Sequence, residues 1–285
     1  MTRISADDFT TFQSLSALPQ SNMLNLSSLL ALWSLGSWAA TAPGQEDCPV
    51  TGVPVIAHTG EPVGKEQVYN GTNQYVTGEA SDVGVLYLTD VFGIQLPQNK
   101  LLADSFGRAG YITVAPDLFN GTPAPGDING QPSFNLTKFL ADHRPEITDP
   151  IIATAIDFLR AELGVEKVAV TGYCFGGRYA FRVLAEGKGA DVGFTAHPSL
   201  LEDAEISAIT GPISVAAADG DDLLPPERRL QIEAELLQTG LPYSVALYGG
   251  TRHGFGVRAN VSNPQEKFGK EEAFFQAIRW FRAWA

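Results

Sequence analysis

The chain has 285 residues and a formal net charge of −13; 44% of its residues are hydrophobic and only 18% are charged. This composition excludes collagen-like, coiled-coil and wholly disordered proteins, and it predicts a compact protein with an extensive core. The acidic balance argues against binding to nucleic acid or to anionic membrane surfaces. The two cysteines are too few for a disulfide framework, and they lack the spacing of a zinc site or a CxxC redox pair.

The N-terminal segment, residues 1–47, is predicted to be a leader or a disordered extension before a folded domain over residues 48–285. Residues 23–42 read MLNLSSLLALWSLGSWAATA, an apolar run ending in small residues that is typical of a secretory leader. Asp7 and Asp8 precede the run, which is unusual for a leader, so a cytoplasmic protein with a disordered tail remains the alternative. A membrane anchor is the third reading. We expect no stable membrane insertion because the run is short and rich in serine.

Five asparagines occupy N-x-S/T sequons, namely Asn25, Asn70, Asn120, Asn135 and Asn260. Average Ser and Thr usage would give far fewer, so the sequons favour a secreted glycoprotein with N-glycans at Asn70, Asn120, Asn135 and Asn260. The alternative is local: the Asn-Gly pairs at Asn70 and Asn120 are also ordinary turn sequences.

Short apolar strands alternate with helices along the remaining chain. After a hairpin over residues 67–76, the predicted strands cover residues 83–88, 111–115, 167–171, 192–196, 213–218 and 243–248. The predicted helices cover residues 98–109, 145–163, 175–185, 226–238 and 264–284. This alternation predicts an α/β protein with a doubly wound, mostly parallel sheet and helices on both faces. Ligands then bind beyond the carboxyl ends of the strands.

One predicted strand runs directly into an unusual turn. Residues 172–177 read GYCFGG, and a helix follows, which is the context of a G-x-S-x-G nucleophile elbow with cysteine in the serine position. Glycine is needed at 172 and 176 because a side chain there would clash at the sharp turn. The helix N-terminus favours a reactive thiolate. We therefore predict that Cys174 is a nucleophile rather than a structural core cysteine.

A cysteine nucleophile needs a base, and in this fold the chain order is nucleophile, acid, histidine. His58 and His143 precede the elbow and are excluded by that order. His197 lies at the end of a strand with no acidic loop before it. His253, in the Gly-rich segment after the last strand, is therefore the predicted base.

The acid is expected in the loop after residues 213–218, between the nucleophile and the histidine. Asp219, Asp221 and Asp222 all lie there. Aspartates in such loops also cap helices, and the residue pattern alone leaves the choice among the three open.

These residues together resemble the dienelactone hydrolases, in the branch found in fungi, which are α/β-hydrolases with a cysteine nucleophile. The resemblance covers about residues 82–285 and rests on LTDVFG at 88–93, APDLF at 115–119, the elbow, AHPS at 196–199 and RHGF at 252–255. The family's acid stands four residues before the loop proline, so the resemblance selects Asp221.

The same resemblance implies an oxyanion hole built from the backbone amides of Phe175 and Val91, which agrees with the general arrangement in this fold. In bacterial members a glutamate at the position of Asp90 contacts the resting thiol, and an arginine four residues after the histidine binds the substrate carboxylate. Here Asp90 is one methylene shorter than glutamate, and Val257 takes the arginine position with Arg258 next to it. Asp90 and Arg258 are therefore candidates for a thiol switch and for substrate binding.

The implied reaction is hydrolysis of a small-molecule ester or lactone through a covalent acyl-enzyme on Cys174, with no metal or organic cofactor. The alternatives are a non-hydrolytic lactone-binding protein and a thiol-redox protein on the same fold. Because the nucleophile must be free to attack, we expect no disulfide between Cys174 and Cys48.

Overall fold

The computed structural model of the protein describes residues 55–126 and 134–285. The strands in these ranges are β1 (Lys65–Tyr69), β2 (Thr72–Thr77), β3 (Val83–Leu88), β4 (Ile112–Pro116), β5 (Lys167–Tyr173), β6 (Val192–Ala196), β7 (Ile213–Gly220) and β8 (Tyr243–Arg252). The helices are α1 (Pro97–Arg108), α2 (Leu136–Asp142), α3 (Pro145–Asp157), α4 (Phe175–Val183), α5 (Asp203–Ser207), α6 (Pro226–Thr239), α7 (Phe255–Arg258) and α8 (Pro264–Trp284). The predicted leader, Asn25 and Cys48 lie outside the described residues.

The strands form one sheet in the order β1-β2-β4-β3-β5-β6-β7-β8. β1 pairs antiparallel with β2, and β2 pairs antiparallel with β4. All remaining neighbours pair in parallel. The doubly wound, mostly parallel sheet predicted from the alternating pattern is confirmed.

The predicted hairpin is also present, and its turn explains the sequence there. Asn70 and Gly71 connect β1 to β2 with φ angles of 45° and 81°. Positive φ at both central residues is the requirement of a type I′ turn, which Asn-Gly meets with little strain.

Two apolar layers cover the two faces of the sheet, and β3 contributes to both. Leu86 and Leu88 pack into the layer that includes residues of α3, α4 and α6. Val85 and Tyr87 pack into the opposite layer, which includes residues of α1 and α8. Alternate residues of a strand point to opposite faces, which is why this strand is apolar throughout.

The structure departs from the predicted boundaries at several points. The helix predicted over residues 145–163 is α-helical only to Asp157 and ends in a π-helical turn at Phe158–Glu162. β5 continues to Tyr173, so that Cys174 directly follows the strand. The short helices α2, α5 and α7 were not predicted, because four to seven residues carry too little periodicity to be recognised. Within residues 55–126 and 134–285, no helix has the length and hydropathy of a membrane span.

Candidate active site

Cys174 lies at the junction of β5 and α4 in a strained backbone conformation. Its φ is 52° and its ψ is −111°, in the left-handed half of the φ range that side chains other than glycine rarely adopt. The thiol is buried and free. The Cys174 amide donates to the carbonyl of Ala196 at the end of β6, 3.2 Å away. The sheet therefore fixes the turn that carries the sulfur.

The two predicted elbow glycines are required by sterics. A Cβ at Gly172 would overlap the carbonyl of Gly176, and a Cβ at Gly176 would overlap the carbonyl of Leu88 in β3. Both clashes are with backbone, which cannot move aside as a side chain can. The turn is therefore possible only with glycine on both sides of Tyr173-Cys174-Phe175.

The structure brings His253 and Asp221 together. The Nδ1 atom of His253 lies 2.9 Å from each carboxylate oxygen of Asp221. Asp221 is buried, and its Oδ1 also accepts hydrogen bonds from the amides of Leu223 at 2.9 Å and Leu224 at 3.1 Å. These amides hold the carboxylate in the orientation that meets the imidazole.

The other two candidate acids have different surroundings. Asp219 accepts a hydrogen bond from the amide of Thr251, 3.2 Å away, which ties the end of β7 to the end of β8. The side chain of Asp222 is exposed. Of the three aspartates that the sequence left open, only Asp221 meets His253.

The surroundings of His253 raise its pKa to about 9. Burial on its own lowers the pKa, but the hydrogen bond to Asp221 and the nearby thiol of Cys174 together outweigh it. Nε2 of His253 is buried and makes no hydrogen bond of ordinary geometry within the described part of the chain. The raised pKa favours the protonated imidazole at neutral pH, and the ring turns Nδ1 toward Asp221.

The thiol of Cys174 makes its hydrogen bond elsewhere. Its Sγ lies 3.6 Å from Oγ of Ser199, a buried residue in the loop after β6. The Ser199 amide also donates to the Cys174 carbonyl at 3.1 Å. Sequence reasoning used Ser199 only as part of the AHPS motif and assigned it no role, since its contact with Cys174 depends on β5 and β6 being neighbours.

His197 is a second residue whose position was not anticipated. Its ring is fully buried, with the ring centroid 5.0 Å from that of His253 and the two rings edge to face. Burial lowers its pKa well below the usual value, and the positive charge of His253 acts in the same direction. The lowered pKa favours a neutral His197 ring, which packs against the imidazole of His253.

The two candidates Asp90 and Arg258 form an ion pair. Oδ2 of the fully buried Asp90 accepts from Nε of Arg258 at 2.9 Å, and its Oδ1 accepts from the amide of Phe92 at 3.2 Å and from Asn99 at 2.9 Å. The Arg258 guanidinium also lies over the Phe92 ring, 4.7 Å from its centroid. The hydrogen bonds of the Asp90 carboxylate go to these groups rather than to Cys174.

A cavity of about 470 Å³ lies at this site. Its lining includes Cys174, His253 and Arg258, together with Val91 and Phe175, whose amides were predicted to form the oxyanion hole. The remaining lining residues are Phe92, Gly126, Leu136, Leu140, Ser199, Leu200 and Leu223. A free cysteine, a histidine and apolar walls thus face one space at the carboxyl ends of the parallel strands.

Comparison with known proteins gives concordant matches. The model of the dienelactone hydrolase family matches residues 73–285. Hydrolase pyvD of Aspergillus violaceofuscus is 38% identical over 227 residues, 79% of this chain and 91% of that protein. Hydrolase tropI of Talaromyces stipitatus is 35% identical over 253 residues, 85% of this chain and 97% of that protein.

Solved structures of low sequence identity share the fold of this chain. The crystal structure of a dienelactone hydrolase-like promiscuous phosphotriesterase from metagenomic libraries superimposes with a TM-score of 0.64. It is 18% identical in sequence, and the match covers 79% of this chain and 99% of that one. The predicted α/β-hydrolase fold is thereby confirmed.

Proposed function

Because this chain belongs to the dienelactone hydrolase family and is a hydrolase of that type, we propose that it cleaves carboxylic esters or lactones through an acyl-enzyme on Cys174. The proposal rests on one constellation: a strained cysteine elbow and a His253–Asp221 pair that open into the same cavity. This is the arrangement of nucleophile, base and orienting acid that acyl transfer requires.

In the first half of the proposed reaction, the Cys174 thiolate attacks the carbonyl carbon. A C–S bond forms, the carbonyl π electrons move to oxygen, and the amides of Val91 and Phe175 donate to that oxyanion. When the oxyanion collapses, the C–O bond to the leaving alcohol breaks, and Nε2 of the His253 imidazolium gives the alkoxide its proton. The product of this half is a thioester on Cys174.

In the second half, neutral His253 removes a proton from water as the water attacks the thioester carbonyl. The C–S bond breaks, the carboxylic acid leaves, and Cys174 returns as a thiolate beside the reprotonated imidazole. Asp221 holds the proton on Nδ1 throughout, which keeps Nε2 available for the reacting groups, and it stabilises the cationic ring. The cycle uses no metal or organic cofactor.

Ser199 holds the sulfur before substrate binds. The Sγ–Oγ distance of 3.6 Å lets the Ser199 hydroxyl donate a hydrogen bond to the sulfur, and the sulfur is also near enough to His253 to help raise the pKa of that imidazole. Ser199 therefore positions the sulfur, and His253 carries the proton transfers.

Arg258 is the proposed contact for an anionic group of the substrate. Its Nε is engaged by Asp90, whereas Nη1 and Nη2 make no hydrogen bond within residues 55–126 and 134–285. The side chain is about one-third exposed and lines the cavity of Cys174. In this proposal Asp90 acts on the thiol only indirectly, by fixing Arg258 and the turn at Phe92.

Secretion and glycosylation belong to the proposal as well. Asn70, Asn120, Asn135 and Asn260 are all exposed, as attachment of an N-glycan requires. Loss of apparent mass after peptide N-glycosidase treatment of protein secreted by a eukaryotic host would support this part, and unchanged mass would contradict it.

Hydrolysis of p-nitrophenyl acetate and of an aryl lactone tests the central proposal. The unaltered chain and a Cys48→Ala control should turn over both, and mass spectrometry of quenched reactions should find the acyl group on Cys174. Cys174→Ala should abolish turnover. Lactone binding without turnover would favour the lactone-binding alternative, whereas oxidation of Cys174 by peroxide without any hydrolysis would favour the redox alternative.

A further inference from the structure

We propose that Leu136, Leu200 and Leu223 form an apolar rim that binds an alkyl or aryl arm of the substrate, so that this enzyme selects esters or lactones with such an arm over acetate-sized ones. The leucine rim adds a substrate preference to the proposed function, and that preference rests on hydrolysis at Cys174. The chemical class it names is an acyl group carrying several methylenes or an aromatic ring next to the reacting carbonyl.

The exposure of these residues is the first observation. Leu136 and Leu200 are each 49% exposed and Leu223 is 58% exposed, and all three line the cavity of Cys174. Single exposed leucines are common on protein surfaces. Three of them lining one cavity concentrate exposed apolar surface in one place, which marks a binding site far more often than isolated leucines do.

The backbone of Leu200 is the second observation. Its φ is 58°, so an exposed, branched side chain is held in the left-handed region that favours glycine and asparagine. Elsewhere in the described ranges, the other positive-φ residues that are not glycine are two turn asparagines, Cys174 and His197. Leu200 thus has the same kind of strained, positive-φ backbone as Cys174 and His197 in the candidate active site.

Neighbouring hydrogen bonds hold that strain in place. On one side the Ser199 amide donates to the Cys174 carbonyl at 3.1 Å. On the other side the Leu201 carbonyl accepts from Nη2 of Arg228 at 2.6 Å. Backbone strain costs stability, and residues that keep it cluster at active sites and ligand-binding positions.

Leu223 is fixed by the catalytic loop itself. Its amide donates to Oδ1 of Asp221 at 2.9 Å, so the bond that orients the proposed acid also places this leucine at the opening. Phe92 and Phe175 continue the apolar surface inward. Among the residues that line the cavity, the ionisable groups besides Cys174 are Arg258 and His253, which leaves the rim itself uncharged.

The rim predicts how rates change along a series of p-nitrophenyl esters. Burying one methylene strengthens binding by about fourfold when burial is complete, and a half-open rim should give roughly twofold to threefold. From acetate to hexanoate, kcat/KM should therefore rise on the order of 10-fold to 100-fold. Leu200→Asn and Leu223→Ser should each reduce this hexanoate-to-acetate ratio by roughly fivefold or more.

A matched control separates this effect from a general one. Leu230 on α6 is 60% exposed but does not line this cavity, so Leu230→Ser should leave the ratio unchanged. Asparagine accepts the left-handed backbone more readily than leucine does, and Leu200→Asn should therefore not lower the Tm. A lower Tm with an unchanged ratio would assign Leu200 a structural role and overturn the proposal.

A second measurement does not depend on turnover. In a Cys48→Ala background, Cys174 is alkylated with N-ethylmaleimide and, separately, with N-hexylmaleimide. The rate for each reagent is divided by the rate at which the same reagent alkylates glutathione, and the two ratios are compared. The hexyl reagent should be favoured roughly tenfold, and Leu200→Asn and Leu223→Ser should remove most of that preference. Should no ester be hydrolysed while this preference holds, the proposed hydrolysis would fail and the rim would stand. Hydrolysis of acetate and hexanoate at equal kcat/KM, with equal alkylation rates, would overturn the rim and leave the hydrolysis intact.

Discussion

Nδ1 of His253 lies 2.9 Å from both carboxylate oxygens of Asp221, although 32 positions separate the two residues in the sequence. The contact follows from the sheet: β7 and β8 are parallel neighbours, and Gly220 at the end of β7 is in register with Arg252 at the end of β8. Each residue comes immediately after its strand. The carboxylate and the imidazole therefore meet at the carboxyl edge, next to the turn that carries Cys174.

Replacing Asp221 by asparagine should lower kcat for an activated ester by on the order of 10² to 10⁴. The amide lets the imidazole adopt the wrong tautomer and no longer stabilises the cationic ring. Asp222→Asn is the matched control, because Asp222 is exposed one position away, and it should keep nearly full activity. Steady-state kinetics of both variants would measure this difference, with circular dichroism to verify folding. Equal effects of the two substitutions would contradict this role of Asp221.

The pH dependence of kcat/KM should show a falling limb near pH 9. The raised pKa of His253, about 9, means that the ring is protonated below that value and loses its proton as the pH rises through it. Without the imidazolium, the leaving alkoxide has no proton donor. In Asp221→Asn this limb should move to lower pH, because the group that raises the pKa is gone, while in Asp222→Asn it should stay. Activity that still rises above pH 9 would contradict the proposed acid role of His253.

The sequence predicted the sheet and the elbow well, because both depend on local patterns. Apolar β-branched runs mark strands, and the GYCFGG turn has steric requirements that can be read directly from its glycines. The chain order of the fold also led to His253. These features need no knowledge of which strands are neighbours.

What could not be predicted depends on contacts between distant segments. His197 was set aside as a base, and nothing in its local sequence indicates that its ring packs against His253, because this contact requires the ends of β6 and β8 to converge. Two other contacts also depend on distant segments meeting in the fold. They are the hydrogen bond between Ser199 and Cys174 and the ion pair of Asp90 with Arg258, which are 168 positions apart. Leu200 gave no signal at all, since a left-handed leucine cannot be recognised from its neighbours.

Gly176→Ala should strongly destabilise the fold. The added Cβ would overlap the carbonyl of Leu88, and relief requires moving β3 or α4. Overpacking of this kind costs on the order of 1–3 kcal/mol, and more when backbone must shift. Gly249→Ala is the control, because the nearest atom to its Cβ would be an oxygen of Asp219 at 3.9 Å. Urea denaturation should find a large loss of unfolding free energy for the first variant and a small one for the second. Equal values would contradict the steric account of the elbow.

Cys174 should react as a free thiol in the purified, unreduced protein. The structure describes it as free and buried, and the proposed mechanism needs it unpaired. Titration of the denatured chain with Ellman's reagent should count both cysteines as thiols, and Cys174→Ala should remove one of them. A count of zero, together with a peptide that links Cys48 to Cys174, would contradict the catalytic assignment.

Lys270 should make the stability of the protein depend on pH in a way that methionine would not. Its side chain is buried in α8, and Nζ donates to the carbonyl of Val257 in α7 at 2.8 Å. Burial lowers its pKa to about 8, against a partly compensating effect of Glu271. Below pH 8 the lysine is charged in both folded and unfolded states, so the cost of burying the charge is fully present, on the order of 3 kcal/mol at most. Between about pH 8 and 10.5 the unfolded chain binds more protons than the folded one, and stability rises with pH.

The Tm of Lys270→Met relative to the unaltered chain should therefore be highest below pH 8 and should decline toward pH 10. Lys267→Met, at an exposed position of the same helix, is the control, and its Tm difference from the unaltered chain should not change with pH. A flat difference for Lys270→Met would mean that the buried amine is not held with a lowered pKa.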